Sequence, residues 1–172
     1  MPDPVPTALF GLTLLAFVGV GEALRAWARW APEASRRFVH AATGIAVALC
    51  PPFFSAPTGI YALAIVFVAV NIVAVRRRLF LGMHGVSRQT WGTVAFPLAL
   101  IAALYLCWTL DPDRVYVLRA AFLVLAVSDP LAAWVGKKAS GGTYCVGGHV
   151  KTVAGSAAFV LSAAVLVAAS LA

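Results

Sequence analysis

The residues of this 172-residue chain that could do chemistry are concentrated in one polar stretch, residues 127–156, VSDPLAAWVGKKASGGTYCVGGHVKTVAGS. It holds a carboxylate (Asp129), three lysines (Lys137, Lys138, Lys151), several glycines, and a Lys151-Thr152 pair opening the last apolar segment. These are the parts that hold a metal-bound polyphosphate: oxygen for the metal, cations and backbone N–H groups for the phosphates, and the positive end of a helix dipole. The stretch is not a P-loop. G-x-x-x-x-G-K-[ST] places its lysine directly after glycine and follows a strand; here His149 and Val150 intervene and no strand is expected. Two of these residues also have ordinary readings. Asp129 before Pro130 is a good helix N-cap, and Lys151 fits a basic flank of a membrane span.

Other polar residues sit among apolar neighbours. His40 follows Arg36 and Arg37 and stands four residues before Gly44, just inside an apolar segment. Its ordinary reading is an interior histidine; its near-neutral pKa also suits proton transfer. Glu22 lies three residues before Arg25, the spacing of a helical ion pair. Asn71 is expected to hydrogen-bond a neighbouring helix, and Arg119 to snorkel outward. Cys50, Cys107 and Cys145 are scattered and suggest neither a disulfide framework nor zinc, and His84 is expected to be exposed. The small residues of the last segment, with Ala158 and Ser162 four apart, read as close helix packing.

The elements that must position these groups are membrane spans. The chain is 62% hydrophobic and only 11% charged, with mean hydropathy +0.94, where a soluble domain carries about 25% charged residues. Apolar runs at about 5–24, 38–54, 58–75, 92–110, 114–127 and 152–171 predict a single all-α domain of about six transmembrane helices. The first run is expected to be retained, because its positive charge follows the apolar segment instead of preceding it. Trp27, Trp30, Trp91, Trp108 and Trp134 fall near span ends, as an aromatic belt does. Of the 13 basic residues, all but Arg114 and Arg119 fall on one side: Arg25, Arg29, Arg36, Arg37, Arg76, Arg77, Arg78, Arg88, Lys137, Lys138 and Lys151. That asymmetry predicts three cytoplasmic loops, with both termini on the non-cytoplasmic side, in the plasma (inner) membrane. It accounts for the +7 net charge as topology and anionic-lipid contact, so a nucleic-acid partner is not expected.

Three motifs then stand in order: R-R-F-V-H at residues 36–40, W-G-T-V-A-F-P-L at 91–98, and S-D-P-L-A-A-W-V-G at 128–136 joined to K-T-V-A-G-S at 151–156. Together they resemble the CTP-dependent lipid kinases, a group including dolichol kinase, phytol and farnesol kinases and the fungal diacylglycerol kinase, distantly similar to phosphatidate cytidylyltransferase. The resemblance covers the chain from about Glu22 onward. It implies that Asp129, Ala132 and Gly136 belong to a nucleotide-binding element, with Lys151, Thr152, Gly155 and Ser156 on the phosphate side. Arg37 and His40 match the N-terminal motif, and Glu22 the acidic residue before it. Members of the family usually carry Glu before the glycine of K-[ST]-x-E-G, where this chain has Ala154. The motif is followed by one span where many relatives continue, which leaves room for a homodimer whose second copy supplies a wall.

The expectation is transfer of the γ-phosphoryl group from CTP, with Mg²⁺, to a long-chain isoprenoid alcohol. Phosphoryl transfer relies on positioning and charge neutralisation. Asp129 and Glu22 are the expected metal carboxylates, Lys151 and Lys137 the phosphate cations, Arg37 a nucleotide contact and His40 the acceptor of the alcohol proton. Two alternatives remain: a cytidylyltransferase attaching CMP to phosphatidate, and a non-catalytic membrane transporter or partner protein.

Overall fold

The computed structural model describes residues 3–77, 91–139 and 141–171; Arg78, His84 and Arg88 of the expected basic loop lie outside the described residues. Among the described residues the chain forms six helices: α1 (Pro4–Trp27), α2 (Pro32–Leu49), α3 (Thr58–Arg77), α4 (Gly92–Thr109), α5 (Pro112–Lys138) and α6 (Val153–Leu171). All except α2 are long and apolar enough to cross a membrane; α2 carries Glu33, Arg36 and Arg37 in its first two turns. The chain is an all-α polytopic membrane protein.

The helix limits follow from local chemistry. Proline opens α1 and α2, where its missing N–H is not needed. Pro51 and Pro52 end the second apolar run, which closes as a 3₁₀ turn at Pro51–Phe53. Within α5 the helix does not stop at Asp129. It widens into a π turn at Val124–Ser128 and continues as Asp129–Lys138, with Asp129 itself in right-handed helical geometry. A proline ring collides with the carbonyl four residues earlier, here that of Ala126, and the wider π turn is how a helix absorbs such a collision. Asp129 is therefore a residue inside a continuous span and not an N-cap.

The second departure from the sequence reading is a hairpin. β1 (Thr143–Val146) pairs antiparallel with β2 (His149–Thr152), in register Tyr144↔Lys151 and Val146↔His149. Its two-residue turn is Gly147-Gly148, both at positive φ (56° and 77°), the geometry of the turn that matches strand twist and excludes most side chains. Lys151 and Thr152 thus leave a strand and enter α6 directly.

Packing is uneven along the bundle. The apolar core, including Phe10, Leu14, Val47, Ile60, Leu104, Leu118 and Phe122, fills the end remote from the charged loops. At that end the Asp3 carboxylate accepts hydrogen bonds from the Ser55 N–H (2.7 Å) and hydroxyl (2.9 and 2.8 Å), and Tyr61 and Thr109 share one at 3.0 Å. Toward the loops the core gives way to a cavity. Helix α6 packs along α5 and leaves most of its apolar surface outward, including Val160, Leu161 and Val165; Ser162 bonds its own helix at Ala158 O (2.7 Å).

Candidate functional site

The site begins with a contact between α2 and α5. A Cβ on Gly44 would sit 2.7 Å from Ala126 Cβ and 3.4 Å from Phe122 O, so glycine lets the two backbones meet. One turn from Gly44 toward the loops, on the same face of α2, is His40; three residues beyond Ala126 on α5 is Asp129. The Asp129 carboxylate and the Arg36 guanidinium are the charges whose fields reach the His40 imidazole. The imidazole is braced edge-on by Phe96 (ring centroids 4.9 Å), which in turn meets Phe122 at 5.4 Å.

These groups line a cavity of about 360 Å³ that is chemically divided along its length. At the loop end stand Glu33, Arg36, Arg37, His40, Asp129 and Lys151, with Asn71, Gly92 and Thr93; the other end is walled by Phe10, Leu14, Val47, Ile60, Leu63, Ala64, Phe67 and Leu100. Three cations against two carboxylates leave the polar end with one excess positive charge. Glu33 holds both arginines, Arg36 at 3.0 Å and Arg37 at 2.9 Å. Burial opposes the charge on Glu33, but the hydrogen bonds and charges of Arg36 and Arg37 outweigh it and hold the carboxyl below its ordinary 4.5. The side chains of Asp129 and Lys151 make no hydrogen bond or ion pair among the described residues; both residues are exposed and line the cavity.

The remaining expected site residues lie elsewhere. Ala132, Gly136, Thr152 and Gly155 form the crossing of α5 on α6. A Cβ on Gly155 would lie 2.8 Å from Ala132 O and 3.2 Å from Gly136 Cα, and one on Gly136 would lie 2.8 Å from Thr152 Oγ1. Thr152 Oγ1 also accepts the Gly155 N–H at 3.1 Å. Ser156 shares a short hydrogen bond with Tyr144 of β1. Lys137 is exposed at the end of α5, beside Lys138, whose ammonium sits 4.0 Å over the Trp134 ring. Glu22 pairs with Arg25 at 3.1 Å, as its spacing predicts, and does not line the cavity.

A magnesium ion bound with a polyphosphate takes oxygen ligands, commonly one or two carboxylates with phosphate and water completing the shell. Asp129 fits that need as a single carboxylate at the polar end. Among the described residues no group of three or more His, Cys, Asp or Glu forms a self-contained metal site.

Three contributors escape motif reading. Glu33 shows its role only through its spacing to Arg36 and Arg37, and Phe96 only through its place in 91–98. Among the described residues Asn71 bonds within its own helix: its amide N–H donates to Phe67 O in α3 at 2.8 Å while the residue lines the cavity. The hairpin did have a signal: Gly147-Gly148, between Tyr144-Cys145-Val146 and His149-Val150, is a two-residue turn between strands.

Fold and site together define a polytopic membrane protein enclosing an amphiphilic cavity, charged at one end and apolar at the other. No protein family, curated protein or solved structure matches the chain.

Proposed function

We propose that this protein phosphorylates the hydroxyl of a long-chain isoprenoid alcohol, with CTP as donor, at the cytoplasmic face of the plasma (inner) membrane. The observation that carries the reading is the divided cavity, whose charged end is continuous with an apolar end inside one helix bundle. A soluble metabolite has no use for the apolar half, and a purely structural lipid has no use for the ionisable cluster. The motif order in residues 36–40, 91–98 and 128–156 supplies the donor and the reaction class.

In the proposed step the alcohol oxygen attacks the γ-phosphorus. The bond from γ-phosphorus to the β–γ bridging oxygen breaks, CDP leaves, and the hydroxyl proton passes to the His40 imidazole. Lys151, Arg36 and Arg37 neutralise phosphate charge at the polar end, where fixed cations need no reorganisation to meet it. Lys137 guides the nucleotide toward the face. Magnesium accompanying the nucleotide supplies further neutralisation when bound, with Asp129 as its carboxylate. Glu22, paired with Arg25 and not lining the cavity, is left out of the metal site in this reading.

The test is transfer from labelled CTP to a polyprenol-type alcohol by the protein in proteoliposomes. Label is expected to enter lipid from the γ position and not from the α position, and Asp129→Asn or Lys151→Ala is expected to lower the rate about a hundredfold. Full activity in either variant would remove that residue from the reaction. The excess positive charge at the polar end also suits an acidic head group, which favours cytidylyl transfer to phosphatidate as the second reading. Label entering lipid from the α position identifies it. Absence of transfer and of nucleotide binding by folded protein would leave the non-catalytic alternative.

A further inference from the structure

The cavity has an opening on the side of the bundle as well as at the loops. Helices α1 and α3 meet closely near the core end. A Cβ on Gly59 of α3 would overlap the Thr7 hydroxyl of α1, and one on Gly11 would sit 3.0 Å from Leu63 Cδ2. One to two turns further toward the loops, Leu15 on α1 and Val70 on α3 line the cavity and yet are 58% and 45% exposed. A residue that borders an internal cavity and also faces outward marks the rim of a hole. The other helix pairs around the cavity are in contact among the described residues. Between α1 and α2 the Ser35 hydroxyl donates to Gly21 O at 2.5 Å; Gly44 meets Ala126 between α2 and α5, α3 packs along α4, and Phe96 spans from His40 to Phe122 between α4 and α5.

We infer that the gap between Leu15 and Val70 is a lateral doorway through which the hydrocarbon chain of a long-chain alcohol slides from the bilayer into the cavity. The rim is apolar and lies on transmembrane helices, so it faces lipid chains and not water. The cavity behind it places charge only at the loop end, so a chain entering sideways keeps its hydroxyl at the level of His40 and Asp129 and never drags it through the apolar core. Taking a polar group through hydrocarbon costs several kcal/mol, and a sideways path avoids that cost. The nature of the head group rests on the lipid-alcohol reading above; the doorway rests on the α1–α3 geometry.

The test uses a long-chain isoprenoid alcohol carrying a diazirine on its tail, in liposomes with the full-length protein. Photolysis is expected to label Leu63 and Phe67 within the cavity. Leu15→Trp with Val70→Trp should fill the rim and cut that labelling about tenfold, as when the open form falls to a tenth of its population. Leu12→Trp with Ile65→Trp, on outward positions of the same helices that do not line the cavity, should leave it unchanged. Equal thermal stability of the two double variants shows that the rim pair folds. Labelling of the rim pair at the wild-type level, equal loss in both pairs, or no cavity labelling in wild type would each overturn the inference. Cavity labelling without phosphate transfer would uphold the doorway and reject the kinase; transfer at full rate by the rim pair would do the reverse.

Discussion

Glu33 illustrates how much a single side chain can organise without touching any reacting atom. It stands in the first turn of α2, on the loop side of the span, and its carboxylate fixes Arg36 and Arg37 at the mouth of the cavity. Its carboxyl is held below the ordinary 4.5, so its pairing stabilises the fold fully above that value and is lost as pH falls through the lowered one. Glu33→Gln is therefore expected to lower stability slightly at neutral pH, where the pairing is fully present, and to flatten the acid limb below about pH 4.5, where the wild type loses the pairing as well. With 35% of its side chain exposed, the pairs are worth about 0.5 kcal/mol, the scale of solvent-screened ion pairs. Thermal unfolding in detergent across the acid range reads this; an unchanged acid limb would remove Glu33 from the account. The role of Asp129 as a polar outlier in an apolar chain is legible from sequence, because an intramembrane carboxylate is costly wherever it occurs. Its partners are not. Nothing in the order of residues tells that Asp129 rather than Glu22 would face His40, since that depends on Gly44 meeting Ala126.

At the scale of elements, the spans are the most legible feature and the polar stretch 127–156 the least. Apolar runs longer than a bilayer is thick announce themselves, and five of the expected six correspond to helices apolar enough to span. The polar stretch divides into a helix end, a hairpin and a helix start, each held by contacts that composition does not reveal. Pro130 reads as a helix start, yet the π turn before it lets the helix run on. The crossing of α5 on α6 gives these motif glycines a packing role. Gly155→Ala would push a methyl to within 2.8 Å of Ala132 O, where helix backbone cannot yield easily. It is expected to destabilise by about 1–3 kcal/mol, the range for overpacking a close contact, with lowered thermal stability before any assay of nucleotide. A variant with wild-type stability and weakened CTP binding would instead place Gly155 against the ligand.

For the molecule as a whole, closure at one end and opening at the other is the governing asymmetry. Hydrophobic periodicity does not report it, because core-lining and cavity-lining positions carry the same residue types. Charge distribution does report which ends of the helices come together: the basic residues counted to one side include Arg36, Arg37 and Lys151, which line a single mouth. Cys145 on the hairpin is exposed and Cys50 buried, which offers a check on sidedness. A membrane-impermeant thiol reagent is expected to label Cys145 only in inside-out vesicles, and an introduced Asp113→Cys, in the exposed turn Pro112–Arg114, only in intact cells. The opposite pattern would invert the proposed orientation. The clasp of Asp3 on Ser55 gives this asymmetry a mechanical meaning. It fastens the start of α1 beside the start of α3, near where Thr7 abuts Gly59, and so holds the two helices together at the end away from the rim. Leu15 lies eight residues along α1 from Thr7, about 12 Å at helical rise, so clasp and rim stand at separate heights on the same pair of helices. Ser35 holds α1 a second time at Gly21, so the helix is pinned near both ends and the rim lies in the stretch left between the two pins.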